Sequence, residues 1–332
     1  MGGVTMSDER NDSGRALLAD LLACPACHGA LALTPSLFTC TSCGQGFPQS
    51  GGAYYDFLSR QDGAAPTGDD GWARRQEQME GWYRDLVADP VGAASCLQGD
   101  YEPYAPLIAG LSGVVLDLGG GSGITRHYLH GEVRYVVLDP SLGWLDQSWG
   151  VVAAQFSRQR TATPQYVRGV GEQLPFRDRT FDAVLAFWSL NHVKDPERVF
   201  SEVGRVLKPE GLFVAVLEDM EPRWADFFDP AFRKGALRHL AWAMPRRSRP
   251  RRWRRLRRRL AIPEAPEAIA VVVEKVRCSL LGREWPKQED HIRIQEAELQ
   301  AWGRRHWRTA RRSWDNPYLT YTFQHGVPRG MP

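Results

Sequence analysis

Long apolar runs are missing from these 332 residues. Nothing approaches the roughly 18 consecutive apolar residues of a membrane-spanning helix, so none is expected. The first fifteen residues are polar and carry acids, without the apolar stretch of a secretory signal, and a cytoplasmic protein is expected. No internal repeat is visible. The composition of a disordered chain is also absent: 43% of residues are apolar and 24% charged, ordinary values for a globular protein. The length suits about two domains at roughly 150 residues each. Acids are missing from one segment, Pro230 to Pro263, which holds 13 Lys and Arg; the net charge of +3 therefore leaves −10 for the rest. An acidic body carries one intensely basic segment.

Cysteine is sparse and uneven. Cys96 and Cys278 stand alone, whereas Cys24-Pro25-Ala26-Cys27 and Cys40-Thr41-Ser42-Cys43 form two C-x-x-C turns 12 residues apart. In a reducing compartment such a cluster reads as a metal site before it reads as disulfides. Four thiolates satisfy a tetrahedral structural zinc and leave no open position for catalysis; a redox pair or an iron centre is the alternative. Gly44 suits the tight turn after the second pair, and His28 reads as a neighbour of the site rather than a ligand. The division expected is a tail at 1–16, a zinc ribbon at 17–60, a linker and helix at 61–100, and a larger domain at 101–332 with a helical insertion at 220–290. In the linker, Trp72 to Ala88 predicts a helix closed by Asp89-Pro90.

From Val114 the pattern alternates. Val114–Leu118, Tyr135–Asp139, Ala183–Phe187 and Leu212–Leu217 are short apolar runs, with a helical stretch at Ile124–His130 after the first. Another helix spans Asp195–Leu207, where Val199, Val203, Val206 and Leu207 share a face. Continuous apolar strands separated by helices predict a doubly wound, mostly parallel α/β sheet of the Rossmann type, covered on both sides. Ligands in such sheets sit at the carboxyl ends of the strands, near the switch point.

The stretch Asp117-Leu118-Gly119-Gly120-Gly121-Ser122-Gly123 follows the first strand. Its glycines remove every Cβ where strand turns to helix, so a ligand can lie against bare backbone. The dinucleotide fingerprint needs a small residue where Ile124 stands, and the match fails there. An acid, Asp139, ends the next strand, where it would accept hydrogen bonds from both hydroxyls of a ribose. What the stretch does match is D-x-G-x-G-x-G. With Gly169-Val170-Gly171-Glu172-Gln173-Leu174-Pro175-Phe176, Phe181-Asp182-Ala183-Val184 and Glu202–Gly211, in this order and spacing, the chain resembles class I S-adenosylmethionine-dependent methyltransferases of the type 11 family over about Tyr101 to Glu218. The cysteine segment, with Phe47-Pro48 and Leu58, resembles the zinc-ribbon activator subunits of methyltransferases.

The resemblance implies that Asp117, Gly119, Gly121 and Gly123 flank the methionine part of S-adenosylmethionine. It implies that Asp139 holds the ribose, and that Leu138 and Pro140 line the adenine. Val170 stands where the family usually has an Asp that meets the adenine amino group, which leaves the backbone amide of Gly171 for the ring. Phe187 ends the strand beside the methyl group. In Phe187-Trp188-Ser189-Leu190-Asn191-His192, His192 is the candidate base, since imidazoles exchange protons near neutral pH; a histidine that only fixes the loop is the alternative. Trp188 either walls the acceptor or packs the helix beneath, and Glu218 and Asp219 are secondary candidates.

The ten arginines between Arg246 and Leu260, with Trp253, Leu256 and Leu260 at helical spacing, would form an amphipathic cationic helix. It could meet RNA phosphates or an anionic membrane surface, or simply cover the mouth of the site as a solvated lid. Asp290–Arg293 and Ser313–Tyr318 would join that lid or form ordinary surface loops. A methyltransferase acting on a small or lipid-like molecule is the first expectation, an RNA methyltransferase the second. A cofactor-binding regulatory protein without catalysis is the third.

Overall fold

The computed structural model describes residues 18–324 apart from 19, 35–36, 51–53, 59–69, 130–132, 142, 146–147, 157–163, 219, 221–222, 235–291, 293 and 316–317. The expectations for the tail, for Arg246–Arg259 and for most of the 220–290 insertion lie outside the described residues. So do those for Asp219, Asp290, His291, Arg293, Asn316 and Pro317.

The N-terminal segment folds as four short strands, β1 (Leu31–Leu33), β2 (Leu37–Cys40), β3 (Gly46–Ser50) and β4 (Tyr54–Asp56), followed by helices α1 (Asp70–Val87), α2 (Pro90–Tyr101) and α3 (Ala105–Ile108). The rest alternates: β5 (Gly113–Leu118), β6 (Val133–Asp139), α4 (Ser148–Ala154), β7 (Gln165–Arg168), β8 (Phe181–Phe187), α5 (Pro196–Val206) and β9 (Leu207–Leu217). Helix α6 (Glu296–His306) and the hairpin β10 (Thr309–Asp315) and β11 (Tyr318–Gln324) complete the described elements.

One sheet of order β1-β2-β3-β4-β7-β6-β5-β8-β9-β11-β10 runs through the molecule. Its centre, β4-β7-β6-β5-β8-β9, is parallel, and β11 and β10 add an antiparallel edge. The doubly wound sheet expected from the apolar runs is present. The runs are continuous because alternate residues serve two cores. Leu116, Val136, Val184 and Phe213 enter one cluster, while Val115, Val137, Leu185 and Val214 enter the other. A strand with both faces buried has no polar face to show.

Helix α5 illustrates how locally the sequence acts. The Asp195 carboxylate accepts from the Arg198 N–H at 3.1 Å, Pro196 occupies the first turn, and Val199, Phe200, Val203 and Val206 are buried. Three elements differ from expectation. Ile124–His127 is a single 3₁₀ turn rather than an α-helix. The fourth strand starts at Leu207, five residues before the apolar run. The linker region holds two helices; Asp89 ends the first and caps α2, accepting from the Gly92 N–H at 3.2 Å.

The cysteine segment is not a separate bead. β4 pairs in parallel with β7, matching Asp56 to Arg168, and the Arg168 guanidinium donates to the Asp56 carboxylate at 2.8 Å. Leu22, Phe38, Phe47, Tyr55 and Phe57 belong to the same buried cluster as the central strands. A small segment that cannot bury a core alone buries it here against the large sheet.

Candidate functional site

The sheet's strand order reverses at β5, with β6 on one side and β8 on the other. The chain leaves β5 through Gly119, whose N–H donates to the Leu138 carbonyl at 2.7 Å. Gly119 and Gly121 have φ of 68° and 52°, a left-handed conformation that favours glycine. Space demands glycine as well. A Cβ on Gly119 would overlap Ser189, and one on Gly121 would lie 2.6 Å from the Trp144 ring. Here the backbone itself forms the floor of a cavity of about 790 Å³.

Of the cofactor residues expected from the sequence, Gly119, Gly121, Asp139, Gly171 and Phe187 all line this cavity, as do Leu138, Pro140 and Val170. Asp117 and Gly123 are not part of its lining. Asp117 is buried behind the turn, where its carboxylate accepts from the Tyr135 hydroxyl. Burial pushes its carboxyl up to about 6, against hydrogen bonds from Thr125 and Tyr135 that pull it down. It props the glycine turn from beneath, since a Cβ on Gly120 would collide with it. Gly123, left-handed at φ 70°, starts the 3₁₀ turn.

Asp139 faces the cavity with both oxygens engaged. One accepts the Gly121 N–H at 3.0 Å and the other the Ser141 N–H at 2.8 Å. Burial raises its carboxyl to about 7; those two N–H donors oppose the shift, and the charges of Glu80 and Asp117 reinforce it. Each oxygen keeps a second lone pair for a ligand. Glu80 of α1 closes the back of this end, accepting from the Ser141 hydroxyl and, at 3.3 Å, from the Gly143 N–H.

At the far end, His192 Nε2 lies 3.6 Å from Glu218 Oε2. Asn191 fixes this corner: its side chain accepts from the Glu218 N–H at 3.1 Å and donates to the Ile292 carbonyl at 3.2 Å. Trp188 stands edge-on to Tyr101 with ring centroids 4.9 Å apart, and 5.5 Å from Tyr318. Its φ of 54° is left-handed without being glycine, and its buried indole N–H has no partner among the described residues. Strain and an orphaned donor persist where the surroundings over-determine a residue, most often at functional sites. Trp188 lines the cavity and packs against Tyr101 of α2.

Sequence reasoning missed the contribution of the two N-terminal helices. Trp72, Met79 and Tyr83 of α1 and Cys96, Asp100 and Tyr101 of α2 line the same cavity. The Cys96 thiol donates to the Asp100 carboxylate at 3.7 Å. Asp100 is pushed up to about 7, by burial first and then by the charge of Glu218, against the pull of that thiol. Helix α2 was not expected, because its apolar residues show almost no helical periodicity, and so neither were the polar side chains it turns inward.

Several residues of the quoted motifs serve as scaffold. The Asp182 carboxylate accepts the Val114 N–H at 2.8 Å and pairs with Lys208. Arg205 donates to the Glu202 carboxylate and to the carbonyls of Leu174 and Phe176. Glu172 accepts from the N–H groups of Lys194 and Asp195 while lining the cavity.

Cys24, Cys27, Cys40 and Cys43 converge, with all four sulfurs within 4.8 Å of one another. The pairs Cys24–Cys43 and Cys27–Cys40 stand 3.7 and 3.5 Å apart, and none is in a disulfide. Four sulfurs on a tetrahedral zinc, at about 2.3 Å each, would be roughly 3.8 Å apart, so the donor set fits that ion. His28, exposed and left-handed at φ 58°, is not one of the four.

No helix among the described residues is long and apolar enough to cross a membrane. Residues 116–215 match the family described as "Methyltransferase domain", inside the stretch that carries the motif resemblance. The demethylmenaquinone methyltransferase of Streptomyces griseus subsp. griseus is 29% identical over 175 residues; the match covers 52% of this chain and spans 62% of that protein's length. The demethylmenaquinone methyltransferase of Streptomyces avermitilis is 29% identical over 196 residues, 58% of this chain and 70% of that protein. Among solved structures, the YcgJ protein of Bacillus subtilis aligns over 62% of this chain and 64% of its own at 18% identity, with a TM-score of 0.36.

Proposed function

Because residues 116–215 match the methyltransferase-domain family, we propose that the protein transfers a methyl group from S-adenosylmethionine to a small or lipid-like acceptor. One observation carries this reading: a single cavity joins the bare glycine floor and Asp139 at one end to an aromatic-walled end holding His192 at the other. When bound, S-adenosylmethionine supplies a methyl group already activated by its sulfonium. The chain's own residues then have to position, exclude water and handle one proton.

The residues fit the cofactor. The Gly119–Gly121 floor admits it because no Cβ intrudes, and Asp139 offers a lone pair on each oxygen to the two ribose hydroxyls. Leu138, Pro140 and Val170 give the base apolar walls, and the Gly171 amide takes the place of the missing carboxylate. Asp117 and Gly123 act at one remove by holding the turn. His192, beside the Glu218 carboxylate, is the base that takes the acceptor's proton. Phe187 and Trp188 keep water from the transfer.

The demethylmenaquinone methyltransferases among the relatives support a quinone-derived ring as the acceptor. The four cysteines bind one structural zinc that fixes the edge strands β1–β3 against the sheet. Incubation with methyl-labelled S-adenosylmethionine and fractionated cell extract tests the reading. Label is expected in the small-molecule or lipid fraction; label confined to RNA, or to nothing, would contradict it.

A further inference from the structure

The described residues lining the cavity include five carboxylates, Asp85, Asp100, Asp139, Glu172 and Glu218, and not one Lys or Arg. Sites for phosphate or carboxylate ligands ordinarily present guanidinium, ammonium or clustered N–H donors. The glycine turn supplies such donors only at the cofactor end. At the other end, Asp100 from α2 and Glu218 from the end of β9 face a space walled by Tyr101, Trp188 and Tyr318.

We infer that this end selects a neutral aromatic hydroxyl compound, whose O–H donates to the Asp100–Glu218 carboxyl pair, and rejects anionic rings, with Asp100 the specificity-determining residue. The inference rests on the methyltransferase reading and deepens it by assigning the acceptor end's selection against anions to Asp100. A flat ring fills the gap between edge-on aromatic side chains at little entropic cost. A hydroxyl gives a second donor to a half-buried carboxylate whose one donor among the described residues is a thiol, whereas a ligand carboxylate meets like charge there.

The groups facing Asp100 are Cys96 and Tyr101 on its own helix and Glu218 opposite, itself beside His192. With its carboxyl near 7, Asp100 repels anions above neutrality and less so below it. The selection therefore weakens on acidification.

The test uses the full-length protein saturated with S-adenosylhomocysteine, with 2-naphthol and 2-naphthoate as probes, followed by fluorescence at pH 8 and pH 6. Naphthol is expected to bind about tenfold or more tightly than naphthoate at pH 8. That preference should shrink at pH 6 and in Asp100→Asn, whose affinity for S-adenosylhomocysteine stays unchanged. Glu218→Gln, expected to shrink the preference as well, serves if Asp100→Asn does not fold. Equal or tighter binding of naphthoate, a preference untouched by both substitutions, or no binding of either ring at millimolar concentration would each overturn the inference. S-adenosylhomocysteine failing to bind would instead remove the methyltransferase reading beneath it.

Discussion

Replacing Asp139 by Asn perturbs the cofactor end with little change of shape. In the wild type, two oxygens accept backbone N–H groups at 3.0 and 2.8 Å and retain lone pairs for two ribose hydroxyls. Asparagine keeps one oxygen and turns its NH₂ toward one of those N–H groups, so at least one charge-assisted bond to the ligand is lost. At about 1.5–3 kcal/mol for such a bond, affinity should fall by about 10- to 150-fold.

The pH dependence sharpens the test. The free carboxyl sits at about 7, and hydroxyl donors favour its ionised form. Binding therefore releases a proton, and affinity is full above 7 and lost as pH falls through it. Between pH 8 and pH 6 the wild type should weaken about tenfold, and Asp139→Asn should show no such slope. Folding follows the opposite sense. Below about pH 4 both native and unfolded carboxyls are protonated. Between there and 7 only the native one holds its proton, so this group's contribution to stability declines as pH rises. Calorimetric titration with S-adenosylhomocysteine at pH 6, 7 and 8 reads the binding terms. An Asn variant within twofold of wild type, or a flat wild-type profile, would refute the ribose assignment.

Four further outcomes follow from the same geometry. His192→Asn should lower turnover by about 10²–10⁴-fold while S-adenosylhomocysteine binding stays unchanged, measured by label transfer and calorimetry. Metal analysis should return one zinc per chain, and Cys40→Ser should lose it and lower the melting temperature by several degrees, because β1–β3 share the central core. Arg205→Met should cost about 3 kcal/mol in urea unfolding, since it leaves the Glu202 carboxylate with the Leu174 N–H but no cation and takes a donor from the carbonyls of Leu174 and Phe176. Trp188→Phe should cost little stability, because the lost indole N–H has no partner among the described residues, whereas Trp188→Ala should cost about 3 kcal/mol or more in the same assay.

The sheet was legible where burial on both faces made the runs continuous, as in β5, β6 and β8. It was not legible in β7, four residues of mixed polarity with Arg168 turned to an ion pair, or in the hairpin β10–β11. Charged residues such as Arg311 and Arg312 interrupt β10, and its pairing is set across the sheet by β9. The glycine turn announced bare backbone, but the helix expected after it is one 3₁₀ turn, entered from the left-handed Gly123. The place of Asp139 in the cavity was readable because an acid that ends a parallel strand lies at the sheet's carboxyl edge. That of Asp100 was not, because a carboxylate on a helix without a clear apolar stripe carries no mark of which way it faces. Asp117 shows the converse: a residue of the motif lies behind the cavity wall, where local spacing alone could not place it.

The cavity at the carboxyl ends of β5 and β6 is where the cofactor must bind. A crystal structure of the protein grown with S-adenosylmethionine should place one molecule per chain there, its ribose hydroxyls on Asp139 and its amino acid end over Gly119–Gly121. A cavity left empty at saturating cofactor, or occupied in competition by a nicotinamide dinucleotide, would contradict it.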